Sequence, residues 1–237
     1  MPAFSTRIDG VVKEDFNEVW KDYGPGRLAD PNKQRELLRS AHKLAICFSF
    51  FAKAMKIREL HRRIFVQELA SDSLHLVHAL MTGDARGASF YLRSVIENFW
   101  RHQYFSQHSV EFGWLQTRSK YHMTMAGLRE YCSWLDVFSG MLNHSLKNLD
   151  RLYAQLSTDV HSTSPRTLVL REQLDQISLS LEQSKRLGPP LRDVLKDCLV
   201  LLTISEREVF DALHIDVQVF ILKCLDSKRK AARQHDL

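Results

Sequence analysis

"GASFYLRSVIENFWRHQYFSQH", Gly87 to His108, decides the fold. On a helical period Leu92, Val95, Ile96, Phe99 and Trp100 cover an unusually wide apolar arc. Arg93, Ser94, Glu97, Asn98, Arg101, His102 and His108 fall on one polar stripe. A helix apolar over most of its girth is wrapped by other helices, so this segment reads as the centre of a bundle. Arg93–Glu97 and Glu97–Arg101 are i,i+4 pairs. Exposed, each such pair contributes about 0.2–0.5 kcal/mol. The stripe is either a solvent-facing ladder or a polar seam against a second helix, and a central position leaves less room for a merely solvated stripe.

The rest of the chain repeats the helical period. With 9 Gly and 6 Pro in 237 residues there is little turn chemistry for a sheet. No segment sustains strand alternation. The expectation is an all-α protein: a single helical bundle of about eight helices and no sheet. An arm with a short helix occupies 1–30, Asp9 to Tyr23 supplying the amphipathic part. After "GPGRLADP", Asp30 caps a helix begun by Pro31, and a helix or helix pair runs to about Met81. The segment after "TGDARGA" ends near Gln107. Ser109 is read as the cap of a helix continuing past "KYHMTMAGLREYCSWLDVFSGML", and another helix starts near His144. Ser164 and Pro165 open a helix carrying Leu170, Leu174, Ile177 and Leu181, which "RLGPPLRD" is expected to end. Helices over about 190–203 and 206–226 follow, with Ser205 and Glu208 as a capping box.

The net charge of +5 is uneven, because the tail "SKRKAARQHDL" (227–237) holds four Lys/Arg and one Asp. It reads as a solvated or fraying terminus. The longest nearly apolar run, "LAICFSFF", is too short to span a bilayer, and the N-terminus lacks a signal layout, so the expected location is cytoplasmic with no membrane partner. Four scattered Cys, without a CxxC pair, read as reduced thiols. There is no phosphate-cradling GxxxxGK[ST] or GxGxxG and no GxSxG elbow. His75 and His78 are i,i+3 but lie among Leu74, Leu76, Val77 and Leu80, so neither metal nor cofactor is expected.

A second stretch, "RLYAQLSTDVHSTSPR" (Arg151 to Arg166), carries the chemical candidates. Leu146, Leu149, Leu152, Tyr153, Leu156 and Val160 make a buried face, with Tyr153, Ser157 and His161 along its edge at i, i+4 and i+8. A His at a helix C-terminus meets the negative end of the dipole, which favours its charged form.

Together, "LRSxxE" (Leu92, Arg93, Ser94, Glu97) and "YxxLSxxVHxxS" (Tyr153, Leu156, Ser157, Val160, His161, Ser164) resemble an uncharacterised bacterial helical family of the HEPN-like clan. The resemblance covers roughly 40–165 of a domain placed at 31–226, leaving extra C-terminal helices over 165–226. It implies a helical bundle of an antiphage-defence or toxin–antitoxin system. Many such domains are metal-independent ribonucleases; others are non-catalytic modules that dimerise or dock RNA or a protein. The implied partners are therefore RNA, a second copy or a protein partner. On the ribonuclease branch an Arg holds the scissile phosphate and a His moves the proton. The carried-over candidates are His161 with Arg93 or Arg101, supported by Glu97, Tyr153, Ser157 and His108. The clan's Arg–x4–6–His spacing occurs at Arg35/His42, Arg101/His108, Arg207/His214 and Arg229/His235, but not at His161, since Arg151 is too far upstream. "RHQYFSQH" alone adds a polar His directly after the Arg.

Overall fold

The computed structural model describes residues 4–23, 26–161, 173 and 176–235, with side chains for 7–23, 26–158, 173 and 176–233. Among these the protein is all-α. Eleven α-helices are present: α1 (Phe4–Tyr23), α2 (Pro31–Ala54), α3 (Leu60–Met81), α4 (Ala85–Phe105), α5 (Ser109–Thr117), α6 (Met125–Ser133), α7 (Leu142–His161), α8 (Leu181–Ser205), α9 (Arg207–Ala212), α10 (Ile215–Cys224) and α11 (Ser227–His235). The nearest thing to a sheet is one isolated parallel bridge, Leu28 to Leu179.

The central reading of α4 holds. It packs on α3, α6, α7 and α8, while α8 in turn covers α2, α4, α7 and α11. Leu92, Val95, Ile96, Phe99 and Trp100 are all buried. Burying a Leu or Phe side chain contributes roughly 1.5–3 kcal/mol, and the shared core of Phe48, Phe51, Phe99, Leu199 and their neighbours holds the layers together. The polar stripe is divided rather than exposed. Asn98 and His102 turn inward, and Arg93, Glu97 and Arg101 lie half-buried at the edge.

Local chemistry explains the start of α2, where Asp30 accepts from the Lys33 backbone N–H at 3.1 Å. Gly83 takes φ +82° between α3 and α4. A Cβ there would lie 2.7 Å from the Ser178 Cα, so the αL turn and a close backbone approach both require glycine. The first helix is built into the body. Phe16 is fully buried, Asp15 meets His42 at 2.7 Å, and Asp9 pairs with Lys43 at 2.8 Å.

Several expected boundaries are corrected. α5 begins at Ser109 itself, with His108 at the cap position and no side-chain cap bond. It stops at Thr117, and Thr124 caps a separate α6 by accepting from Gly127 N–H at 3.1 Å. Pro189 and Pro190 do not end a helix; they lie inside α8. Each removes a backbone donor, but the carbonyls they would have served belong to Lys185 and Arg186, both exposed residues. Ile177 lies outside any helix, and Leu181 opens α8. Ser180 and Gln183 form the capping box there. Ser205 and Glu208 do not form one, because the Ser205 hydroxyl instead accepts from Gln103 at 3.1 Å. The helix expected from Ser164 and Pro165, with Leu170 and Leu174, lies outside the described residues.

The basic tail is also different from its charge pattern. Arg229 anchors α11 to α8: its Nε donates to Asp197 Oδ1 at 2.7 Å and its Nη2 to Asp193 Oδ1 at 3.2 Å. No helix among the described residues is long and apolar enough to cross a membrane.

Candidate functional site

The seam between α4 and α7 gathers four of the expected residues. Arg93 Nη2 pairs with Glu97 Oε1 at 2.8 Å and donates to the Tyr153 hydroxyl at 3.0 Å. That hydroxyl donates to Glu97 Oε1 at 3.1 Å, closing a three-membered ring of polar contacts. Arg101 Nη2 reaches the other oxygen, Oε2, at 3.4 Å. Glu97 therefore faces two guanidiniums. Side-chain exposures of 21% for Arg93, 14% for Glu97 and 33% for Arg101 place the group at the rim of the core. The screening that makes surface pairs weak is reduced there.

Aromatic packing fixes the seam. The Arg93 guanidinium sits over the Tyr153 ring at 5.1 Å, and Trp100 meets that ring edge-on at 5.0 Å. Cation–π contact and planar hydrogen bonding both restrict the Arg93 fork. Beneath it, Arg101 Nη1 donates to Asn98 Oδ1 at 3.2 Å, and Asn98 Nδ2 donates to Asp72 Oδ2 at 2.8 Å. Burial pushes the Asp72 carboxyl above its ordinary range, against the hydrogen bonds from Ser94 and Asn98. The network thus joins α3, α4 and α7.

Register along α7 orders the candidates. Arg129 sits over Trp100 at 5.8 Å and pairs with Asp150 at 3.3 Å. His161 closes α7 eight residues past Tyr153, a rise of about 12 Å. Arg101 lies two turns past Arg93 along α4. The His161 side chain lies outside the described residues. Ser157 lies one turn past Tyr153, on the way to His161. Its hydroxyl, Arg93 Nε and Trp100 Nε1 are buried without a hydrogen-bond partner among the described residues.

His108 belongs to a different cluster. Its Nδ1 contacts the Tyr104 carbonyl at 2.7 Å, and its ring stacks on Tyr104 at 4.1 Å and meets Tyr131 edge-on. The hydrogen bonds of Arg101 go instead to Glu97 and Asn98. His75 and His78 likewise serve aromatic packing, on Tyr91 and Tyr23. Among the described residues no group of three or more His, Cys, Asp or Glu could hold a metal.

Two polar centres escaped the sequence reading. His102, 1% exposed, contacts Glu206 at 3.0 Å and ties α4 to the α8–α9 junction. Its signal was a His flanked by Phe99, Trp100 and Phe105. The second is a cavity of about 470 Å³ walled by His144, Asn148, Asp193, Asp197, Lys228 and Arg229. There Asn148 donates to Asp197 Oδ2 and Lys228 Nζ donates to His144 Nε2, both at 2.7 Å. Asp193 and Asp197, i,i+4 in a leucine-rich helix, could have announced it.

Compared with family models, curated proteins and solved structures, the chain matches none.

Proposed function

We propose that the chain is a HEPN-like helical protein of a bacterial defence or toxin-type system that cuts RNA without metal. Arg93 is the phosphate clamp and His161 the proton-transferring group. Arg101 shares the charge of Glu97, and Tyr153 with Glu97 orients the Arg93 fork. The observation that carries this reading is the α4–α7 seam itself, where the Arg93 and Arg101 guanidiniums share the Glu97 carboxylate at the rim of the core. A preoriented, partly desolvated cation stabilises phosphate charge more strongly than a freely hydrated one.

One observation favours a second use of the same fold, a non-catalytic module that dimerises or docks a partner. The Tyr153 hydroxyl, both Glu97 oxygens and the Asn98 amide all find partners within the ring and the relay, while Arg93 Nε is left without one among the described residues. A polar network of this kind also fixes helix register.

The deciding experiment incubates single-stranded RNA with the full-length protein in EDTA. The proposal expects cutting that survives the chelator and is abolished by His161→Ala, with the melting temperature of that variant unchanged within a few degrees. No cutting by wild type, together with unfolding of His161→Ala, assigns the seam to structure alone.

A further inference from the structure

We propose that the cavity between α7, α8 and α11 binds a small phosphate monoester that carries hydroxyl groups, with Lys228 and Ser145 on the phosphate and Asp193 on a hydroxyl. The cavity measures about 470 Å³, within the roughly 300–1,000 Å³ of small-molecule sites. The first turn of α7 brings His144 and Ser145 to its wall, α8 brings Asp193 and Asp197, and the first turn of α11 brings Lys228 and Arg229. His144 is nine residues before Tyr153, so the cavity and the Arg93 seam are separated by about 14 Å of rise along α7.

The charges here run against what the helices alone favour. The first turn of a helix is the positive end of its dipole and is stabilised by acids, not by cations. Neither α7 nor α11 has an acid in its first turn. They carry His144 and Lys228 instead, and Lys228 Nζ donates to His144 Nε2 at 2.7 Å. A neutral ring nitrogen accepts a hydrogen bond but does not balance the charge, and an ammonium has three donors. Among the described residues Lys228 has no other partner, which leaves two donors for a ligand.

The acids around it are largely engaged. Asp197 accepts from Arg229 Nε and from Asn148 Nδ2, both at 2.7 Å. Asp226, which caps α11, pairs with Arg229 and Lys196. Asp193 gives Oδ1 to Arg229 at 3.2 Å, and its Oδ2 has no partner among the described residues. Ser145 is 5% exposed and lines the cavity, and its hydroxyl has no hydrogen-bond partner among the described residues. Leaving a buried hydroxyl unpaired costs free energy that a ligand oxygen would recover.

These groups select the ligand class. Lysine binds phosphate as a point charge, and two ammonium protons with one hydroxyl serve the three oxygens of a monoester. Asp193 only accepts, so the rest of the ligand must donate to it. An amine there would face the Arg229 guanidinium on the same carboxylate, whereas a neutral hydroxyl would not.

The test titrates the full-length chain calorimetrically at fixed ionic strength with glycerol 3-phosphate, and with inorganic phosphate and glycerol as its two halves. Saturable binding of glycerol 3-phosphate is expected, tighter than that of inorganic phosphate, with none for glycerol. Lys228→Met should weaken it at least about tenfold and Ser145→Ala by a smaller factor, while Lys120→Met, at an exposed position outside the cavity, should leave it unchanged. In wild type, saturating glycerol 3-phosphate should slow acetylation of Lys228 at least about fivefold relative to Lys120, read by peptide mass. No saturation by about 10 mM, equal binding by Lys228→Met, inorganic phosphate binding as tightly as the monoester, or unprotected Lys228 overturns the proposal. The acetylation map uses wild type alone, so it decides even where a variant fails to fold.

Discussion

Replacing Arg229 by Met keeps the apolar stem and removes the guanidinium, which isolates the electrostatic attachment of α11. In the native protein Arg229 contacts Asp193, Asp197 and Asp226. Asp193 and Asp226 are partly exposed and can rehydrate when the guanidinium is lost. Asp197 is 2% exposed and retains only Asn148, at 2.7 Å, among these partners. Stranding a buried charge in this way costs about 3–5 kcal/mol. At about 2–4 °C per kcal/mol for a chain of this size, the melting temperature should fall by roughly 6–20 °C. Urea unfolding followed by far-ultraviolet circular dichroism gives the free-energy difference directly. Adding Asp197→Asn to Arg229→Met neutralises the stranded carboxylate, so the double variant should be more stable than the Arg229 single variant. The cycle should show coupling of roughly 1–3 kcal/mol. A loss below about 1 kcal/mol for Arg229→Met would refute the reasoning, since α11 would then not be held by the buried pair.

Other expectations follow from single contacts. Gly83→Ala should lose about 2–4 kcal/mol in the same urea assay, because it strains a positive φ and drives a Cβ into Ser178. Gly10→Ala, within α1 with open space around the added methyl, should gain about 0.5–1 kcal/mol. Tyr153→Phe removes a hydroxyl bonded to Arg93 and Glu97 and should cost about 1.5–3 kcal/mol; a neutral result would mean the ring is not formed. The buried Asp72 carboxyl is raised from 3.8, so its ionisation opposes folding. The stability of Asp72→Asn relative to wild type should therefore rise as pH increases from below 3.8 through the raised native value, and then level off. A relative stability that falls over that range would contradict the sign.

What could be read in the sequence follows from where the physics is local. The wide apolar arc of Leu92 to Trp100 announced a central helix, and Asp30 with Pro31 announced the start of α2. Each signal needs only the residue's own turn of helix. The Arg93–Glu97–Arg101 spacing placed three charges together, and the 3.6 period put Tyr153 on the edge that meets them. Reading Pro189 and Pro190 as a stop failed, because their cost depends on whether the freed carbonyls reach water, which is a property of the folded surface. Ser205 was similarly claimed by Gln103, 102 positions away. His108 was placed with the supporting network, whereas its contacts are with Tyr104 and Tyr131. His102–Glu206 and Asp197–Arg229 join distant segments, and no local rule pairs them. The tail looked solvated because a count of charges does not show that one of its arginines meets the buried carboxylate of Asp197.

The proposed chemistry makes the ribose 2′-hydroxyl the nucleophile, with His161 moving its proton and Arg93 holding the phosphate. The most direct measurement uses a labelled DNA strand carrying one ribonucleotide, incubated with the full-length protein in EDTA and resolved by mass. The account predicts a single cut on the 3′ side of that ribose, leaving a 2′,3′-cyclic phosphate, and no cut with His161→Ala or with the all-deoxy strand. An intact chimera, or cutting at deoxy positions, would contradict it.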